Sequence, residues 1–329
     1  MKRDLILIPT KGMTRAEWLA ERRKSIGGSD AAAIVGLNPY ATQYTVWADK
    51  TGRLPDKPDS EAMRQGRDFE QYVADRFTEL TGKKTRKVNA IIKNPAYPWA
   101  SANIDRDVVG ESAGLECKTT SVMNLRKFKG GEFPSQYYVQ CCQYMAITGN
   151  DRWFLAVLIL NQGFMVYQLT RIENDDVPEW CSGSVYVSDI EITALMEAEK
   201  TFWKLVKSDI PPAFSGAQAD SDALAAIYKG DEGNDATVSL FGRDSEINRY
   251  FEISDRIKEL ETQRDQIKQT LQGDLGDQSA GTTENYKVTW RQQTRSSFDA
   301  KRFAAENPDV DLSGYYNQST FRKFDIRRL

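Results

Sequence analysis

The chain has 329 residues, 40% of them hydrophobic, enough to bury a full-sized core in one large domain and leave room for a smaller one. It contains no histidine. That excludes Ser-His-Asp and Cys-His catalysis, His-ligated zinc and His-based phosphodiesterases, so hydrolysis would have to run on carboxylates, lysines and hard, oxygen-bound cations. A formal net charge of −3 excludes a generally adhesive nucleic-acid binder, but not a protein that confines DNA to one basic groove.

The N-terminal stretch MKRDLILIPTKGMTR has too short an apolar run for a signal peptide and lacks a small-residue cleavage site. No apolar stretch is long enough for a membrane span, so a cytoplasmic chain is expected. Residues 14–24 read as a short helix ending near Gly27 and Gly28, and Ser29 is expected to be the N-cap of the apolar helix DAAAIVGL. Residues 61–80 form a stronger helix, with Phe69, Val73, Phe77 and Leu80 at helical spacing. Strand-like segments follow at 88–92, 99–109 and 113–119. Pro134 opens a helix through Ile147 that Gly149 closes. WFLAVLIL and FMVYQLTR read as a β-hairpin over residues 161–163, and a helix over 188–207 completes an α/β core spanning 1–208.

Residues 209–240, with Pro211, Pro212 and several Gly, Asp and Ser, read as a connector with one short helix around Leu224. Over 243–272 a stripe including Tyr250, Ile257, Leu260, Ile267 and Leu271 predicts one long amphipathic helix that packs on a partner or neighbouring domain. Residues 286–329 read as a small basic α/β tail: strand YKVTWRQQ, helix DAKRFAAENP and final strand TFRKFDIRR. The helix and tail together form a C-terminal extension over 241–329. Three basic runs stand out: Lys83 to Lys87, Arg126 to Lys129, and Lys287 to Arg328 with interleaved aromatics. Cys117, Cys141, Cys142 and Cys181 contain no C-x-x-C pair, which predicts reduced, buried thiols rather than disulfides, zinc or iron–sulfur ligands.

The chemistry centres on GLECKTT. In a strand, alternate side chains share a face, so Glu116 and Lys118 point one way while Leu115 and Cys117 point the other. Asp105, in ASANIDRDV, gives D-x10-E-x-K. A bend near Gly110 that pairs the two segments would bring Asp105 to Glu116 at the sheet edge. Two adjacent carboxylates repel, and their natural occupant is a divalent cation, which polarises a phosphoryl oxygen while Lys118 offsets developing charge. Asp107 shares a face with Asp105 by alternation, and spacing alone does not choose between them. Glu70 sits on a largely apolar helix face, where it needs either a metal or an arginine. Gln136, Gln140 and Gln143 form a polar stripe whose amides need an active-site water, a DNA phosphate, a backbone edge or one another.

In the order Trp18-x3-Arg22-x6-Ser29, Gly66-x3-Glu70, Asp105-x10-Glu116-x-Lys118 and Gln140-x2-Gln143-Tyr144-Met145, the chain resembles the phage lambda exonuclease and YqaJ-type viral recombinase nucleases. The likeness runs from about Trp18 to Arg171. It implies the PD-(D/E)xK restriction-endonuclease-like fold, an α/β core with a central mixed sheet flanked by helices. It further implies that Asp105, Glu116 and the backbone carbonyl of Cys117 hold two Mg²⁺ or Mn²⁺ ions, with Glu70 supporting metal or water. Lys118 would be the catalytic lysine, Gln140 the active-site glutamine, and Arg22 and Ser29 the grip on a terminal 5′-phosphate. Asn103 and Ile104 precede Asp105 without the family's frequent proline, so the turn there is expected to differ.

The implied activity is 5′-to-3′ digestion of linear double-stranded DNA, leaving 3′ tails for recombination in a bacterial host, with a phage or prophage origin. A ring of three subunits and a single-strand-annealing partner belong to the same expectation. The competing readings are another nuclease on the same fold, an endonuclease or repair enzyme, and a non-catalytic DNA-binding assembly protein whose basic tail carries the activity.

Overall fold

From the N-terminus the chain runs β1 (Ile6–Pro9), α1 (Arg15–Arg22), α2 (Gly28–Ile34), α3 (Gln43–Lys50), α4 (Glu61–Thr81), β2 (Thr85–Lys87), β3 (Ala90–Lys93), β4 (Arg106–Val108) and β5 (Ala113–Thr120). A 3-10 helix (Val122–Phe128) leads to α5 (Ser135–Thr148), β6 (Arg152–Ile159), β7 (Gly163–Thr170), β8 (Gly183–Tyr186), α6 (Asp189–Lys207) and α7 (Gln218–Ile227). These elements make up a first unit that extends through Lys229; a second begins at Gly230. The computed structural model describes residues 4–56, 58–230, 237–317 and 320–328.

Local chemistry sets the helix ends. Thr14 and Ser188 form capping boxes with Glu17 and Glu191, and Ser60 caps α4. Gly82 and Gly149, both in the left-handed region, end α4 and α5. The expected cap at Ser29 is corrected: Gly27 is the N-cap of α2, and Ser29 lies inside the first turn. Its neighbour Asp30 reaches back to the Gly27 N–H at 2.9 Å, so the acid rather than the serine satisfies the helix start.

The main sheet has the order β2-β4-β5-β6-β7-β8 and is mixed, with β5–β6 and β7–β8 parallel and the other neighbours antiparallel. Parallel neighbours require a crossover, which α5 supplies between β5 and β6. Strand β6 lies centrally with apolar residues on both faces, as a strand covered on both sides must. Against one face α4 packs Val73, Ala74 and Phe77 onto Leu115, Phe154 and Val166. The other face meets α5, with Tyr144, Met145 and Ile147 against Trp153, Leu155 and Val157. Gly114 is required here, because a Cβ would collide with the ring of Trp153, its partner in register. Helix α7, from the segment read as a connector, places Ala223 in a third cluster with Tyr44, Trp47 and Phe202. No helix among the described residues is long and apolar enough to cross a membrane.

The second unit holds α8 (Asp244–Leu275), the hairpin β9 (Ala280–Thr282) and β10 (Lys287–Thr289), α9 (Ala300–Glu306) and a 3-10 turn (Ser313–Tyr315). None of the residues of α8 is buried. The final strand expected over TFRKFDIRR does not form: residues 320–328 have no regular structure. Phe321, Phe324 and Ile326 break the two-residue alternation, and among the described residues no strand pairs with them.

Candidate active site

Strand β5 positions the site. Antiparallel register pairs Arg106 with Leu115 and Asp107 with Gly114, so continuing it sets Asp105, one residue before β4, opposite Glu116. Asp105 Oδ2 accepts the main-chain N–H of Cys117 at 2.8 Å. The turn leading into it is pinned by Tyr144, whose hydroxyl donates to the Asn103 carbonyl at 3.1 Å. Burial, and next the charge of Glu116, push the Asp105 carboxyl well above the ordinary range; Lys118 only partly offsets them.

Glu116 is 3% exposed. Its Oε1 accepts from Lys118 Nζ at 2.5 Å and from Gln140 Nε2 at 2.7 Å, whereas Oε2, also buried, has no hydrogen-bond partner. Burial works against the Lys118 ammonium, but Glu116 and Asp105 outweigh it and hold the group above its usual value, so it stays charged. Tyr137 places its ring 5.2 Å from that ammonium. Gln140 also donates to the Tyr144 hydroxyl at 2.9 Å, fixing which face of the amide meets Glu116. Cys117 turns its thiol to the opposite face, against the α4 cluster, and burial raises it well above the usual thiol range.

Two carboxylates therefore face one ammonium, and one buried oxygen has no donor. A carboxylate oxygen in that state costs several kcal/mol unless it meets a cation or a proton. The donor set (Asp105, Glu116 and a main-chain carbonyl) is all oxygen and suits a hard divalent ion. Among the described residues no group of three or more acidic or cysteine side chains forms a ready cage, so a metal here would complete its shell from outside the side chains.

The remaining candidates separate. Asp107 is drawn to the edge strand, where Arg86 in the adjoining register position pairs with it at 2.6 Å. Glu70 meets Arg106 at 2.5 Å and Lys87 at 3.2 Å, the arginine-paired alternative, while its charge still reaches Asp105. Arg22 and Ser29 are brought together, the guanidinium donating to the serine hydroxyl and lying 5.2 Å over the Trp18 ring. Gly28 joins this pair to the cleft: a Cβ there would stand 2.6 Å from the Tyr144 ring and 2.9 Å from Gln140.

Sequence reasoning missed Lys50, a buried ammonium 2.6 Å from Asp30 that also donates to the Arg22 carbonyl at 3.1 Å. A lysine at the end of QYTVWADK was a weak signal, visible only once that segment is a helix. Glu199 of α6 was missed as well. It is 0% exposed and lies beside Gln143, whose Nε2 donates to Ile26 and whose Oε1 has no donor. Burial pushes the Glu199 carboxyl well up, and the Gln143 amide offsets this in part.

A profile of the YqaJ-like viral recombinase domain matches residues 17–151. The protein YqaJ of Bacillus subtilis is 34% identical over 332 aligned residues, covering 100% of this chain and 99% of that protein. The chain belongs to the YqaJ-like viral recombinase family. Among solved structures it is similar to an alkaline exonuclease from Laribacter hongkongensis, with 19% identity and a TM-score of 0.47, over 59% of this chain and 94% of that one. A phage-related exonuclease from Haemophilus somnus gives 11% and 0.37, over 58% and 99%. In this YqaJ-like chain every candidate site residue, from Arg22 to Gln140, falls inside the matched stretch, and the second unit lies beyond it.

Proposed function

We propose that this protein is a metal-dependent deoxyribonuclease that digests the 5′-ended strand of linear double-stranded DNA and leaves 3′ single-stranded tails for recombination. The observation that carries this reading is the cation deficit at Asp105 and Glu116, with Glu116 Oε2 buried and unpartnered beside a charged lysine. Asp105, Glu116 and the Cys117 carbonyl would hold Mg²⁺ or Mn²⁺, two ions in the full reading, with Glu70 in support. A bound ion would supply Lewis-acid charge to the phosphoryl oxygen and offset the carboxylates.

The chain's own groups do the rest. Lys118 places a fixed ammonium where charge builds on the phosphate, and can hold the attacking water against it. Gln140 keeps Glu116 Oε1 oriented toward that lysine, leaving Oε2 for the cation. Arg22 and Ser29 offer charge-assisted donors to a terminal 5′-phosphate, which gives the reaction its dependence on an end. The reading extends to a ring of three subunits around the duplex and a single-strand-annealing partner that receives the 3′ tail.

The test compares 5′-phosphorylated linear duplex, 5′-hydroxyl duplex and closed circles, each with Mg²⁺ and with EDTA. Digestion should need the metal, prefer the phosphorylated end and spare circles, with label at the 3′ end surviving longest. Equal rates on both ends, or nicking of circles, would overturn the end-dependent part; activity in EDTA would overturn the metal.

A further inference from the structure

From Lys287 to Arg328 the chain carries nine lysines and arginines against five aspartates and glutamates. Arg302 and Arg327 pair with Glu306 and Asp325. Lys287, Arg291, Arg295, Lys301, Arg322 and Lys323 have no carboxylate within ion-pair distance among the described residues. Along α8 the pattern is different: Arg249, Arg256 and Arg264 each meet an acid on their own helix. The tail's positive charge is therefore uncompensated.

The same stretch exposes large rings: Phe321 is 79% exposed, Phe324 76% and Trp290 49%. Some of them converge. The Phe324 ring lies 6.2 Å from that of Tyr250, Tyr250 lies 6.0 Å from Phe251, and the Arg328 guanidinium stands 5.1 Å over Phe251. A stretch of chain that exposes rings and unpaired cations, with Phe324, Tyr250, Phe251 and Arg328 brought together, matches a polymer that presents both flat aromatic faces and a string of anions. Single-stranded nucleic acid does so, because its bases are unpaired and free to stack; in a duplex they are already stacked inside.

We propose that residues 287–317 and 320–328, together with Tyr250 and Phe251 of α8, form a binding site for single-stranded DNA, built from residues that take no part in cleavage. Bases stack on Phe321, Phe324 and Trp290, while Arg322, Lys323 and their neighbours track the phosphates. The site goes beyond the nuclease reading and stands without it. A strand binder that does not cut would still show it, and a nuclease lacking it would still cut.

The test uses the full chain in EDTA, so that hydrolysis plays no part. Trp290 is the one tryptophan after Lys229. Oligothymidylate should quench its fluorescence, and Trp290→Phe should remove that change. Replacing Phe321 and Phe324 together by Ala should weaken binding by about tenfold or more. The paired Leu replacements, which keep the apolar bulk, should do the same if stacking is the cause. Replacing Arg322 and Lys323 together by Ala should lower the slope of log affinity against log salt by about 1.4. Unchanged affinity in the Phe and the Arg/Lys variants, with helicity retained, would overturn the proposal. So would an equal loss of binding to a blunt duplex, or equally strong competition by polyglutamate, which would mark the surface as a site for acidic protein.

Discussion

In the first unit, the carboxyl groups of Asp105 and Glu116 are enclosed by protein with one ammonium bonded to Glu116; in the second, the tail's cations stand in solvent with few acids near. The imbalance is similar in kind and opposite in sign, but solvent makes the two unequal. Exposed charge is screened over about 8–10 Å and costs little to hold unpaired, so the tail's cations can stand free in the unbound protein. Enclosed charge is expensive, so on the proposed reading the cleft would be completed by one particular ion in one place. Selectivity follows from burial, and the two proposals assign cutting to the cleft and holding to the tail along that line.

The strongest way to break this comparison is to remove the cleft's own cation. Lys118→Ala should lower single-turnover cleavage by about 10²–10³-fold, the scale of one preorganised charge at a reacting oxyanion, with duplex binding retained. Cleavage within a few fold of the parent would mean that the ammonium only balances Glu116. Next in size is Arg22→Ala. Loss of charged hydrogen bonds of about 1.5–3 kcal/mol should slow initiation on 5′-phosphorylated ends by roughly 10- to 100-fold. The 5′-hydroxyl duplex should be cut at the parental rate, and equal slowing on both substrates would separate Arg22 from the phosphate.

Gly28→Ala is a smaller perturbation of the same cleft. The added methyl would press on Tyr144 and Gln140, costing about 1–3 kcal/mol by overpacking and displacing the amide that orients Glu116. Thermal unfolding and cleavage rate should fall together; a stable but slow variant would show that orientation outweighs packing.

The subtlest variant sharpens the comparison with a third kind of charge. Glu199 is buried like Glu116, but it lies beside the Gln143 amide where Glu116 has Lys118, and burial pushes its carboxyl well up. Its carboxyl titrates higher folded than unfolded, where the ordinary value is 4.5. Stability is thus fully present below that value and is lost as pH rises through the folded pKa, by up to about 1.4 kcal/mol per unit. Glu199→Gln keeps a donor at every pH, so its Tm should vary less than the parent's from about pH 5 to about pH 8. Parallel curves would mean that Glu199 is already ionised in the fold.

Much of this was legible in the residues. The alternation in GLECKTT fixed which side chains share a face, and the helical stripes with their terminal glycines located α4 and α5. The choice between Asp105 and Asp107 was not legible, because alternation holds only within a strand and Asp105 lies just outside β4. In the fold Asp107 pairs with Arg86 on the edge strand, while Asp105 meets the Cys117 N–H beside Glu116. Lys50 with Asp30, and Glu199 with Gln143, were hidden for a related reason. Each joins separate helices, and α3 itself was not anticipated. Strand β8, four residues long, owes its place to its parallel neighbour β7 rather than to any pattern of its own.

Cys117 lends the cleft its main chain and keeps its sulfur on the far side, and burial raises all four thiols of the chain. Almost no thiolate exists at neutral pH, so peroxide and alkylating reagents find no nucleophile beside the carboxylates. An oxidant therefore gains no handle on the cleft through these thiols, and a cysteine-directed inhibitor has nothing there to capture.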